Sequence, residues 1–233
     1  MVKPTKKDVE YFNKMDDKNM KRSTAITAAH SLNDFFNSEH QDLLDILENF
    51  RALKMDPLTV FHCLLIILPH VSDESQLYSA EKKSYRTMKL FSIIRGDSVS
   101  NKSTYIKLCR QAISFMERMF REHYVDKNGT FSSCIESLTH AKLTNILERT
   151  SVFISSDEDI PLSEIGFYEP KNSNYQSVQG LIINGFNGVY DFNRATMTYN
   201  AKIQNRSITM LIPTTGNRWP EILSYFHGTS KTN

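Results

Sequence analysis

A basic side chain and a hydroxyl stand together at Lys102 and Ser103, in the run Gly96-Asp97-Ser98-Val99-Ser100-Asn101-Lys102-Ser103-Thr104. The spacing follows G-x-x-x-x-G-K-[ST], the pattern of a phosphate-binding loop, except that Asn101 occupies the second Gly position. Successive backbone N–H groups in such a loop form an anion-binding concavity, and the helix behind it directs its positive dipole end at the ligand. Lys102 would reach the β- and γ-phosphates of a nucleotide, and the Ser103 hydroxyl would hold Mg²⁺. Asn suits the Gly position if the backbone there is left-handed, a region it enters more readily than most residues. Gly96, Ser98, Ser100, Asn101, Lys102, Ser103 and Thr104 are therefore the candidate nucleotide contacts, with ATP and Mg²⁺ as ligands. Two blander readings are a Ser-rich surface loop and an Asn101-Lys102-Ser103 glycosylation acceptor, which would need a secretory route.

A second pair of groups lies at Asp157-Glu158, directly after the apolar run Ser151-Val152-Phe153-Ile154-Ser155-Ser156. Carboxylates at the end of a strand sit where ligands bind in open α/β sheets. In a nucleotide hydrolase the first acid, Asp157, holds Mg²⁺ through water. The second, Glu158, orients the attacking water. The alternative is a strand capped by surface acids. The 55 residues from Lys102 to Asp157 leave room for a helix, a further helical segment and a return strand. The expected geometry brings Lys102 and the two acids together across neighbouring parallel strands.

The elements that must position these groups follow from periodicity. Residues 90–95 read as a strand, and an apolar stripe from Tyr105 to Phe120 predicts a helix over 103–122. Helices are predicted over 23–37 and 133–147, after Ser38-Glu39-His40-Gln41, from Pro57 to Leu68 with Pro69 ending it, and over 172–186. Asp56 is the expected N-cap of the Pro57 helix. Residues 72–84 read as a polar connection and 126–130 as a turn. Short strands or loop are expected at 189–192 and 195–200, a buried strand at 207–212, and a last short helix from Trp219-Pro220-Glu221. Thr214, Thr215 and Asn217 are candidates for sensing a γ-phosphate. Residues 1–22 form a flexible lead-in and 23–84 an N-terminal helical segment. Residues 85–233 form the core.

The whole chain has 233 residues, 40% hydrophobic and 23% charged, which suits a globule that buries a core. The three cysteines, 63, 109 and 134, have no metal spacing, and the seven histidines include no H-E-x-x-H. The start of the chain lacks the apolar core of a signal peptide, and Val60 to Leu68 is too short to span a bilayer. An intracellular protein, cytoplasmic or nuclear, is the expectation, with reduced thiols. Net charge is +2, yet residues 82–127 hold eleven Lys/Arg against four acids. That basic block surrounds the loop and would attract a nucleotide or a nucleic acid.

Across residues 50–225 the order of segments resembles a family of P-loop ATPase domains found in phage, plasmid and other mobile-element proteins, often beside primase modules. The likeness rests on Asp56 to Leu68, on residues 89–122, and on the run SLTHAKLTNILERTSVFISSDED. It continues with Phe186-Asn187-Gly188-Val189-Tyr190-Asp191-Phe192-Asn193-Arg194, Asn205 to Leu211, and Pro220-Glu221. The resemblance implies an α/β, RecA/AAA-like three-layer core, here an incomplete copy. It implies Mg²⁺-dependent ATP binding with weak hydrolysis in DNA replication or mobile-element helicase work. By the same resemblance Lys102 and Ser103 bind phosphate and Mg²⁺, Asp157 the metal, and Glu158 is the catalytic base. Asn101 and the Arg218-Trp219 pair, where family members carry Gln, depart from the pattern. The alternatives are a catalytically inactive interaction module and a nucleic-acid-binding module using the 82–127 block. DNA and a second copy of the chain are further partners to consider.

Overall fold

The computed structural model describes residues 6–29, 31–72, 76–87, 89–96, 100–120, 125–126, 129–130, 132–169, 172–189, 191–195, 200–219 and 222. Among the expected features, Ser98 and the Pro220-Glu221 pair lie outside these residues. The chain divides into two units, one formed by Cys63–Thr215 and the other by Met1–His62 with Gly216–Asn233.

In the second of these, α1 is one helix over Lys6–Ala29, continuous across the break expected after residue 22. Two 3-10 turns, Leu32–Asp34 and Ser38–His40, lead to α2, Gln41–Ala52, whose Leu44 and Leu47 are buried. Helix α3, Pro57–Val71, begins here. Asp56 caps it as expected: its carboxylate accepts from the Thr59 backbone N–H at 2.9 Å. Pro69 does not end this helix but lies within its last turn. The carbonyl one turn earlier belongs to Leu65, which is exposed, so water can replace the donor that proline lacks.

The larger unit is built on a parallel sheet. The polar connection expected after α3 is instead an antiparallel hairpin, β1 (Gln76–Ser79) with β2 (Ser84–Thr87). Then come β3 (Phe91–Arg95) and α4 (Lys102–Met119). A small ladder, β4 (Val125–Asp126) with β5 (Gly129–Thr130), follows. The helix expected over 133–147 is shorter. Cys134–Ile135 form β6, and Thr139 then caps α5, His140–Leu147, by accepting from the Lys142 N–H. Strand β7, Val152–Ile154, comes next, then α6, Ile160–Glu164, and α7, Gln176–Asn187. A second hairpin, β8 (Phe192–Ala195) with β9 (Asn200–Ile203), precedes β10, Ile208–Thr214.

The sheet order is β3-β10-β7-β6, all parallel. Parallel strands joined through helices cross over right-handedly, which puts α4 on one face and α5 and α7 on the other. Both α4 and α7 contact β10, whose seven residues are all buried. The result is a mixed α/β unit with helices on both faces of a parallel sheet.

Helix α7 approaches closely at Gly185. A Cβ there would stand 2.3 Å from Cδ1 and 2.9 Å from Cβ of Ile208, at the start of β10. Gly185→Ala is expected to cost about 1–3 kcal/mol by overpacking, read as a lower urea midpoint at unchanged m-value. A wild-type midpoint would show that the helix can lift away freely.

Candidate functional site

Parallel strands place all their carboxyl ends on one edge, and in such sheets that edge is where ligands bind. Here it gathers the segment after β3, the end of β10, the segment after β7 and the residues after β6. Strand β3 runs level with the end of β10, Arg95 opposite Thr214, and the Gly96 N–H donates to the Thr214 carbonyl at 3.2 Å.

At Gly96, where the loop begins, an added Cβ would lie 2.4 Å from Ser100 Oγ, so a larger residue would turn the exposed Ser100 side chain aside. Lys102 curls back over the same turn. Its Nζ donates to the Gly96 carbonyl at 2.5 Å and to Ser100 Oγ at 3.2 Å. Asn101 is left-handed, φ 56° and ψ 18°, the conformation that the Asn-for-Gly exchange requires. Its carbonyl accepts from the Thr104 N–H at 2.9 Å, closing the first turn of α4. Ser100, Asn101, Ser103 and Thr104 are exposed and Lys102 is half-buried. Strand, turn and helix therefore stand in the expected order, with an ammonium group and hydroxyls around the helix start.

The acids are arranged differently from the expectation. Strand β10 lies between β3 and β7, so the amine and the carboxylates are not on neighbouring strands. Two strand spacings make the lateral offset about 10 Å. Asp157 is exposed, and its Oδ1 lies 3.7 Å from Arg110 Nη1 on α4. Arg110 also forms an ion pair with Glu136, just past β6. Because Arg110 is eight positions beyond Lys102, it lies about 12 Å farther along the helix. An open groove follows that part of α4, lined by Lys107, Gln111, Phe115, Arg118 and Asp157 among others. It includes none of the loop residues.

Glu158 is exposed, and its backbone N–H donates to Ser156 Oγ at 3.4 Å. Two neighbouring acids have structural partners. Asp159 accepts from the Tyr168 hydroxyl at 2.6 Å, and Glu164 accepts from the Leu138 N–H. Ser155 Oγ is buried under the strand end with no hydrogen-bond partner among the described residues. Thr214 is buried at the tip of β10, next to the loop, while Thr215 is exposed. Asn217 belongs to the other unit.

No group of three or more His, Cys, Asp or Glu side chains that could hold a metal occurs among the described residues. Mg²⁺ does not require one, since it commonly takes one or two protein oxygens together with water and substrate phosphates. The thiols of Cys63 and Cys109 are buried and hydrogen-bonded to each other. That bond and burial push the Cys109 thiol up. Burial raises Cys134 to about 11. No described helix is long and apolar enough to cross a membrane.

Sequence reasoning missed Arg110, whose role emerges only when α4 is laid across the sheet. What fold and site define is an α/β protein with a strand–turn–helix, bearing a Lys-Ser pair, on the carboxyl edge of a parallel sheet. No family model, characterised protein or solved structure matches the chain.

Proposed function

We propose that the turn between β3 and α4 binds the phosphates of ATP with Mg²⁺, and that the protein is a weak ATPase. The observation that carries this reading is the left-handed Asn101 followed directly by Lys102 at the start of α4. It supports a loop whose backbone conformation survives loss of the second Gly. The strand between β3 and β7 is compatible with the RecA/AAA-like core that the family resemblance implies. It offsets the amine and the acids laterally by two strand spacings, about 10 Å.

In this reading Lys102 exchanges the Gly96 carbonyl and Ser100 hydroxyl for the β- and γ-phosphate oxygens. Ser103 and Asp157 would hold the metal, Asp157 giving up its contact with Arg110. Bound Mg²⁺ supplies charge neutralisation on the phosphates. Glu158 orients the attacking water, and Thr214 stands at the strand tip as a candidate γ-phosphate contact.

A ligand that binds only the folded state raises the melting temperature in step with its concentration. Mg²⁺-ATP titration should do so for the wild type, and Lys102→Ala should abolish the shift. An identical shift in Lys102→Ala, or none in the wild type, would remove the proposal. A second reading, nucleotide binding without turnover, is favoured by the Arg110–Asp157 contact, which occupies the metal-holding acid. Phosphate release that is lost in Glu158→Gln would decide for hydrolysis.

A further inference from the structure

The hairpin β1–β2 carries an aromatic pair that the core does not use. Tyr78 stands directly opposite Tyr85 in the antiparallel register. Their ring centroids are 5.2 Å apart, with the planes tilted by 56°. Yet Tyr78 is 56% exposed and Tyr85 is 68% exposed. Large rings are normally among the first side chains a fold buries, because each removes much apolar area from water. Two of them side by side at the surface offer two apolar ring faces, tilted to one another, to an outside partner.

The turn that joins the strands gives this platform its charge. Residues 80–83 are Ala80-Glu81-Lys82-Lys83, with Glu81, Lys82 and Lys83 exposed. Lys83 is held in a left-handed conformation, φ 47°, and the Lys82 N–H donates to Ser79 Oγ at 3.3 Å. The tip is thus a defined turn that presents two ammonium groups beyond the Ser79–Ser84 pair, two and three residues from Tyr85. Across residues 76–87 three basic residues face one acid.

Exposed aromatic rings beside positive charge suit one ligand chemistry in particular. Single-stranded nucleic acids offer unpaired bases that stack on aromatic side chains, and phosphates that seek Lys or Arg. A duplex keeps its bases stacked internally and offers the rings no face. We infer that the β1–β2 hairpin binds single-stranded nucleic acid, with bases stacked on Tyr78 and Tyr85 and the strand's phosphates on Lys82 and Lys83. The inference uses nothing of the turn at 96–104 and holds whether or not ATP binds there.

The plain alternative is that the tyrosines only brace the hairpin, as cross-strand aromatic pairs do. The two differ in measurable ways. Full-length protein is titrated, without nucleotide, into a fluorescently labelled dT 20-mer and into a duplex of equal length, and anisotropy is followed. Binding of the single strand, tighter than of the duplex, is expected. The double variant Tyr78→Ala/Tyr85→Ala should weaken it by at least about tenfold, in line with the usual loss per stacked base. Tyr78→Phe/Tyr85→Phe keeps the rings and should bind like the wild type. Lys82→Ala/Lys83→Ala should lower the slope of log K against log[salt] by about 1.4, two phosphates' worth for a single strand. Circular dichroism confirms that each variant is folded. Absence of single-strand binding, equal affinity for duplex, or an unchanged affinity in a folded double Ala variant would overturn the inference.

Discussion

Glu117→Ala is expected to destabilise the larger unit by about 3–4 kcal/mol. Glu117 lies on the sheet-facing side of α4 with only 6% of its surface exposed. Its Oε1 accepts from both the backbone N–H and the hydroxyl of Ser133, each at 2.6 Å. Truncation leaves a buried N–H and a buried hydroxyl without their acceptor and opens a gap beneath the helix. Glu117→Gln retains an acceptor oxygen in the same place and should lose less than half as much. Urea denaturation of the two variants checks the ordering. A loss below about 1 kcal/mol in the alanine variant would mean that water replaces the carboxylate, and the site would then not be dry.

His70, on the other side of Ser133, makes stability depend on pH. The single proton of the Ser133 hydroxyl goes to Glu117, so the hydroxyl accepts from His70 Nε2–H at 2.8 Å. Nδ1 is then the unprotonated nitrogen, and it is buried with no hydrogen-bond partner among the described residues. The ring also lies against Phe153 of β7, centroids 5.4 Å apart. Burial, with Lys89 nearby, lowers its pKa to about 3. An unfolded histidine titrates near 6.5. Above that value both states are neutral and the stabilisation is complete. As pH falls from about 6.5 towards 3, the unfolded chain takes up a proton that the folded chain refuses. Stability then drops by about 1.4 kcal/mol per pH unit, towards about 4–5 kcal/mol in all. Between pH 6.5 and 5, before most carboxylates titrate, the wild type should lose about 2 kcal/mol. His70→Gln, whose amide can still donate to Ser133, should lose much less over the same range, with a smaller share remaining from His62, whose pKa partial desolvation also lowers. Equal slopes would show that His70 does protonate in the folded protein.

This buried chain also shows why part of the molecule was hidden from a linear reading. His70 and Ser133 are 63 positions apart, and Ser133 and Glu117 are 16 apart. No local pattern links them. A histidine beside a buried apolar run reads as structural, but its partner is not legible, and a glutamate amid a helical stripe looks like a surface residue until the sheet brings them together. Lys89 is similar: it lies just before β3, is buried, and donates to the Pro69 carbonyl at 3.0 Å. Residues 72–84 read as a polar connection because the hairpin's strands are four residues each and mostly polar. The alternation that identifies a strand needs one buried face, and here both tyrosines look outward.

Features that depend on a few consecutive residues were legible. The strand at 91–95 and the long helix from Lys102 follow from β-branched and aromatic content and a 3.6-residue period, all local quantities. So do the Asp56 cap and the buried strand at 208–214. Strand order was not legible, because pairing energy is similar wherever a strand docks and the connections only limit the choices. Hence the place of β10 between β3 and β7 had to come from packing. So did the capture of Asp157 by Arg110, and the distance between the lysine and the acids. A charge can be read from one residue, but its partner is set by which elements the core forces together.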